Sequence, residues 1–176
     1  MKKDQITKNM LVKILDQYLF GWAYKDIERA SIYGEAKLAG FILGACFIDA
    51  LAGFRAGVTK QNIGQGSSKR FKDFSKQYLP KYNSDKLYVD LRCGLVHSYA
   101  EGGTYVFTDA NKAGFHFNKC MNNKIILNLE DFLSDLREAY RNYRNDILTN
   151  PEIFDKARAR YESMYLMGLV TIQNNE

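Results

Sequence analysis

Residues 38–54 read LAGFILGACFIDALAGF. As a helix this run is apolar on almost every side, and its 17 residues fall just short of a comfortable bilayer span. Asp49 lies inside it, and an ionised carboxylate near a bilayer centre is costly. A helix apolar all round and too short to span belongs in the middle of a helical bundle. The fold is therefore expected to grow outward from this segment, with no membrane crossing.

The flanking pattern is helical on both sides. Ile6, Met10, Ile14 and Tyr18 recur at i+4 steps, so residues 5–20 should form a first amphipathic helix. Ser31 is placed to cap the next helix, which runs through the apolar stretch to about Phe54. Glycines mark residues 57–66 as a loop. Ser67 should cap a third helix over 68–78, which Pro80 stops. Ser84 opens a fourth, with Leu87, Leu91 and Leu95 at i+4 steps. Asn128 reads as an N-cap with Glu130 and Asp131 in the first turn, where the helix dipole favours them. Leu129, Phe132, Leu136, Tyr140, Tyr143 and Ile147 make one apolar stripe on that helix. Asn150-Pro151 marks a restart, with proline at the first position of a helix over 151–167, closed by Gly168 before a loose VTIQNNE tail.

Between Gly102-Gly103 and Asn128 the pattern changes. TYVFTD, AGFHFN and KIILNL are short and alternating or β-branched, with turns at Ala110–Lys112 and Met121–Asn123. The expected fold is a single all-α domain over 1–176. It is an up-and-down bundle of five or six helices with a small β-hairpin or meander insertion near 103–128.

Composition narrows the function classes. The chain has 176 residues, 46% apolar and 26% charged, which excludes wholesale disorder. Its net charge is +5, and the excess is local. Within 55–86 there are 8 basic residues against 2 acidic ones. Lys69, Arg70, Lys72 and Lys76 cluster there, as a phosphate-binding surface would require, although a solvated face has the same composition. The GQGSSKRF segment, 64–71, could present free amide groups and positive charge to a phosphate at a helix start. Cys46, Cys93 and Cys120 are scattered and form no CxxC. With only 2 histidines, neither a zinc site nor a disulfide framework is expected. Reduced thiols fit a cytoplasmic protein. The N-terminus is a poor signal peptide, because Asp4, Lys8 and Lys13 interrupt any apolar run. No cofactor is expected.

The chemistry-bearing stretch is LYVDLRCGLVHSY, 87–99. Arginine stabilises charge growing on phosphoryl oxygens, and histidine exchanges protons near neutral pH. On an ideal helix Arg92 and Tyr99 lie about 20° apart, while Arg92 and His97 lie about 140° apart. Asp90, Cys93 and His97 form a second stripe. Arg92 and His97 would converge only through long reach, local unwinding or a second copy of the chain. The plain alternative is that Arg92 pairs with Asp90 or a neighbouring helix and His97 packs at a helix end.

Arg92-Cys-Gly-Leu-Val-His97-Ser-Tyr99 resembles the Arg-x4-His-x-Tyr signature of HEPN-domain proteins. That family is an all-α bundle with the signature on or beside a later helix. The resemblance implies metal-independent RNA cleavage by a ribose 2′-hydroxyl, in a cleft shared by two copies of the chain. His97 would then be the acid/base and Arg92 the phosphate stabiliser, with Asp90 and Cys93 in support. In members paired with a nucleotidyltransferase antitoxin, the motif tyrosine accepts AMP and activity stops; Tyr99 occupies that place. Such proteins include toxins and phage-defence effectors. Two features depart from the pattern. Cys93 stands where the family often has Asn or Asp, and the 103–128 insertion is absent from the minimal bundle.

The leading expectation is thus a homodimeric endoribonuclease guided onto RNA by Lys69, Arg70, Lys72 and Lys76. The alternatives are a non-catalytic module binding RNA, a nucleotide or a protein in the same groove, and a purely structural helical interaction protein.

Overall fold

The computed structural model describes residues 6–99, 103–109 and 114–164. Among them are six helices: α1 (residues 8–33), α2 (Lys37–Ala56), α3 (Ser67–Tyr78), α4 (residues 84–98), α5 (Leu129–Thr149) and α6 (Pro151–Ser163). Two short strands, β1 (Tyr105–Thr108) and β2 (Ile125–Asn128), lie between α4 and α5. The all-α bundle with a small β insertion is the observed architecture.

Its centre is α2, which packs against each of the other five helices. That placement explains an almost all-round apolar sequence. By length and composition alone α2 could cross a membrane, with mean hydropathy 1.7; here 56% of that stretch is buried inside the bundle. Gly40 and Gly44 let neighbours approach closely. A Cβ at Gly44 would stand 2.5 Å from the Phe132 ring of α5, and one at Gly40 would stand 2.7 Å from both Leu129 and Ser31.

Several helix boundaries differ from expectation, each for a local reason. Thr7 caps α1 by accepting from the Met10 amide, and the helix runs on past residue 20 to Tyr33. Wide π-helical turns at Asp16–Tyr24 and Arg29–Tyr33 carry it. Ser31 is therefore no cap: it is buried in the last turn, and its hydroxyl donates to the Ile27 carbonyl at 2.6 Å. Such back-bonding satisfies serine within a helix. The chain breaks instead at Glu35, with φ 56°. Ser67 is the first residue of α3 and Gly66 is its cap, at φ 65°, a backbone state glycine adopts without strain. α4 does begin at Ser84 as expected, and Asn83 before it is the cap, accepting from the Lys86 amide at 3.0 Å.

Other boundaries match the sequence. Asn128 accepts from the Asp131 amide, and the whole stripe from Leu129 to Ile147 is buried. Asn150 caps α6 through the amides of Glu152 and Ile153. The expected end of that helix at 167, Gly168 and the VTIQNNE tail lie outside the described residues, as do Gly102 and the Ala110–Lys112 turn.

The insertion pairs differently from a meander. β1 and β2 run parallel, with Tyr105 opposite Ile125 and Thr108 opposite Asn128. On the other side of β2, Phe117–Lys119 run antiparallel to it: the Phe117 amide donates to the Ile126 carbonyl, and the Ile126 amide to the Asn118 carbonyl. The Met121–Asn123 turn closes that antiparallel half as expected, using positive φ at Asn122 and Asn123. β2 is thus central. β1 pairs with it in parallel because the chain makes a long excursion before returning.

Side chains pin the insertion to the bundle. Asp90 is buried on α4, and its Oδ2 accepts from the amides of Thr104 and Tyr105 at 2.9 and 3.3 Å. His116 accepts the Asn128 amide at Nδ1, so its ring proton sits on Nε2, 3.4 Å from Asp135 Oδ2. The Tyr82 hydroxyl donates to the same carboxylate oxygen at 2.9 Å.

Candidate active site

Helix α4 carries the site. Leu87, Leu91 and Leu95 are buried and fix its apolar face. The backbone over Tyr88–Leu95 is π-helical, and the Val96 amide reaches back five residues to the Leu91 carbonyl. One residue more per bonded loop rotates the side chains relative to an α-helix, so positions five apart come to one face. This unwinding narrows the 140° separation expected of an ideal helix.

Arg92 and His97 meet within one chain. Arg92 Nη1 lies 2.6 Å from His97 Nε2. A guanidinium only donates, so Nε2 accepts and the ring proton is on Nδ1. His97 itself is exposed. A second copy of the chain is not needed to join this pair.

Asp49 of α2 sets the arginine. Its Oδ2 accepts from Arg92 Nε at 3.1 Å, with the two side chains 21% and 22% exposed. Arg92 therefore pairs across the bundle with α2, not with Asp90. The other oxygen, Asp49 Oδ1, stands 4.0 Å from Arg70 Nε, and neither atom has a hydrogen bond. Arg160 adds charge from α6. Burial and the neighbouring Arg70 lower its hold on its proton, while Asp49 works in the other direction. One half-buried carboxylate thus holds Arg92 by a hydrogen bond and faces Arg70 without one. Partly shielded from water, each contact is stronger than it would be on an open surface. Asp49 is the partner of Arg92 that motif reading missed. The available signal was a single carboxylate inside a 17-residue apolar run.

The remaining expected residues divide. Tyr99 ends α4 with φ 51° and is 74% exposed, so its hydroxyl is accessible. Cys93 is a half-buried free thiol, and all three cysteines are free. Asp90 does not face the pair: its carboxylate is committed to the β1 backbone, so it supports the fold. Arg70 turns inward toward Asp49 and the 57–66 loop, donating to the carbonyls of Gln65 and Ile63 at 2.6 and 3.0 Å. Lys69 is 82% exposed and pairs with Asp73 at 2.6 Å. Lys72 pairs with Asp85 at 2.8 Å and covers the Tyr88 ring. Lys76 is exposed. Among the described residues, no three His, Cys, Asp or Glu side chains gather as a metal ion would need.

The arrangement can hold an anion on Arg92 beside an imidazole that gives and takes a proton. Compared with family models, curated proteins and solved structures, the chain matches none.

Proposed function

We propose that the protein is a metal-independent endoribonuclease of the HEPN type, acting at Arg92 and His97. The observation that carries this reading is the 2.6 Å contact between an anchored guanidinium and a solvent-facing imidazole. An RNA phosphate entering the site replaces His97 as the acceptor of Arg92 Nη1. That exchange frees the Nε2 lone pair. Nε2 then takes the proton of the ribose 2′-hydroxyl, and the 2′-oxygen attacks the adjacent phosphorus. Arg92 holds the charge gathering on the phosphoryl oxygens. The bond from phosphorus to the 5′-oxygen breaks, and that oxygen takes a proton from the imidazolium. The products are a 2′,3′-cyclic phosphate and a free 5′-hydroxyl.

The same proposal includes a cytoplasmic homodimer, whose two-fold axis would set two such pairs beside one cleft. It also gives Tyr99 a regulatory place, as an exposed hydroxyl open to nucleotidylation by a partner nucleotidyltransferase.

Cleavage of unstructured RNA by the purified protein in EDTA tests the reading. His97→Ala and Arg92→Ala should each abolish cleavage in a folded protein. A broad RNA panel left intact by the wild type overturns it. The ion pair with Asp49 favours one second reading, a non-catalytic RNA-binding module, because it offsets part of the Arg92 charge. Salt-sensitive RNA binding without cleavage marks that case.

A further inference from the structure

Arg55, Lys69 and Arg70 line a surface groove of about 330 Å³ beside the end of α2 and the 57–66 loop. The Arg92–His97 pair does not account for it. Asp73 is the carboxylate in the lining, and Lys69 already occupies it at 2.6 Å. Arg55 Nε donates to the neutral amide oxygen of Gln77 at 2.8 Å. The terminal nitrogens of Arg70 donate to two neutral carbonyls. Neutral acceptors orient a guanidinium without cancelling its charge. The Asp49 carboxylate 4.0 Å from Arg70 Nε is shared with Arg92, so the groove keeps a surplus of fixed, oriented positive charge.

Arg70 connects the groove to the active pair. It lines the groove, yet its buried Nε has no hydrogen bond and faces Asp49 Oδ1, while the other oxygen of that carboxylate holds Arg92. A single carboxylate separates the groove's arginine from the catalytic one. Two cationic positions this close suit two phosphates on one strand. The volume admits a single nucleotide's phosphate and sugar rather than a duplex.

We infer that the Arg55–Lys69–Arg70 groove is a second phosphate subsite, which holds a phosphate neighbouring the scissile one on a single-stranded RNA. The ligand class rests on the proposed RNA cleavage. The groove supplies sequence-blind affinity and orients the strand so that one chosen phosphate reaches Arg92 and His97.

The test uses the full chain carrying His97→Ala, which binds without cutting, and fluorescein-labelled hexauridylate as the probe. Binding is read by anisotropy between about 50 and 200 mM salt. Arg55→Gln with Lys69→Gln leaves Arg70, Asp49 and the loop contacts in place. The double variant should bind roughly tenfold more weakly, with a log–log salt slope shallower by about 0.7, the loss of one single-strand phosphate contact. A labelled diuridylate with one phosphodiester should bind both proteins alike. An unchanged hexamer affinity and slope, or an equal loss for the dimer, overturns the subsite. Cleavage by the wild type is a separate readout. Uncut RNA with a groove-dependent slope removes the enzyme and keeps the groove as a phosphate-binding site, and cut RNA with a groove-independent slope does the reverse.

Discussion

Arg92 Nη1 and His97 Nε2 lie 2.6 Å apart on one helix, although five residues of regular α-helix would turn them about 140° away from each other. The π-helical backbone of Tyr88–Leu95 narrows that angle, and the long Arg92 side chain closes the rest. It costs regular hydrogen bonding along α4, and the buried leucines on the opposite face hold the helix in place while it is wound this way. The polar face is shaped for two side chains to meet, and the apolar face bears the load of packing.

Because His97 is exposed, its removal should separate chemistry from folding. His97→Ala is expected to change stability by no more than about 0.5 kcal/mol while RNA cleavage disappears. Urea unfolding curves and a cleavage assay on the same preparation check this.

Asp49 should behave in the opposite way. Asp49→Asn keeps the shape but leaves Arg92 and Arg70 without their carboxylate. Loss of a charged hydrogen bond at this depth should cost about 1.5–3 kcal/mol. Cleavage should fall with it, since the charged anchor of the Arg92 guanidinium is lost. Asp49→Glu should recover part of both, as read by the urea midpoint and by kcat.

The close approach of α2 to α5 predicts an unfavourable Gly44→Ala. The added methyl meets the buried Phe132 ring at 2.5 Å. Overpacking of about 1–3 kcal/mol should exceed the helix-propensity gain of about 1 kcal/mol. A lower melting temperature than wild type is expected; an increase would show that α5 can shift freely.

Acid should loosen the insertion through Asp135. Burial acts to raise its pKa, but hydrogen bonds from His116 and Tyr82 and the charge of Lys81 outweigh it and hold the carboxyl below its usual value. A depressed folded pKa means the contribution is present above about pH 4 and is lost as pH falls through the folded value. The melting temperature of Asp135→Asn should start lower at neutral pH and fall less steeply below about pH 4 than that of the wild type.

Alkali should unfold the bundle through its buried tyrosines. Burial, and next the charge of Asp90, push Tyr105 up to about 12. Tyr24, Tyr78, Tyr82, Tyr140 and Tyr143 are raised too, burial being the largest cause in each. A raised folded pKa stabilises fully below the unfolded value of about 10 and is lost as pH climbs through the folded one. Helical circular dichroism and tyrosinate absorbance should therefore change together above about pH 10.

The sequence by itself determined the layers of this molecule. An apolar run with one carboxylate gave the central helix, the stripe from Leu129 to Ile147 gave its long partner, and asparagine caps at 128 and 150 placed two helix starts. These are short-range facts, set by periodicity and by side chains that bond their own backbone. Arg92, His97 and Tyr99 were picked out by a resemblance to the Arg-x4-His-x-Tyr signature, not by periodicity. Periodicity misjudged Ser31 and Ser67 as caps, because a serine beside a helix has several ways to satisfy its hydroxyl. It also assigned hairpin pairing to strands that only a distant return of the chain brings together.

The tertiary structure decided the rest. Winding of α4 brought Arg92 to His97, and packing of α2 against α4 put Asp49 on Arg92. Asp90 went to the β1 backbone instead of the Arg92–His97 pair, and Arg70 was turned inward to face Asp49. Each of these depends on where a second element lies, so no periodicity within one segment records it. A helix's pitch adjusts to what it packs against, and a charge finds its partner only after the bundle has closed.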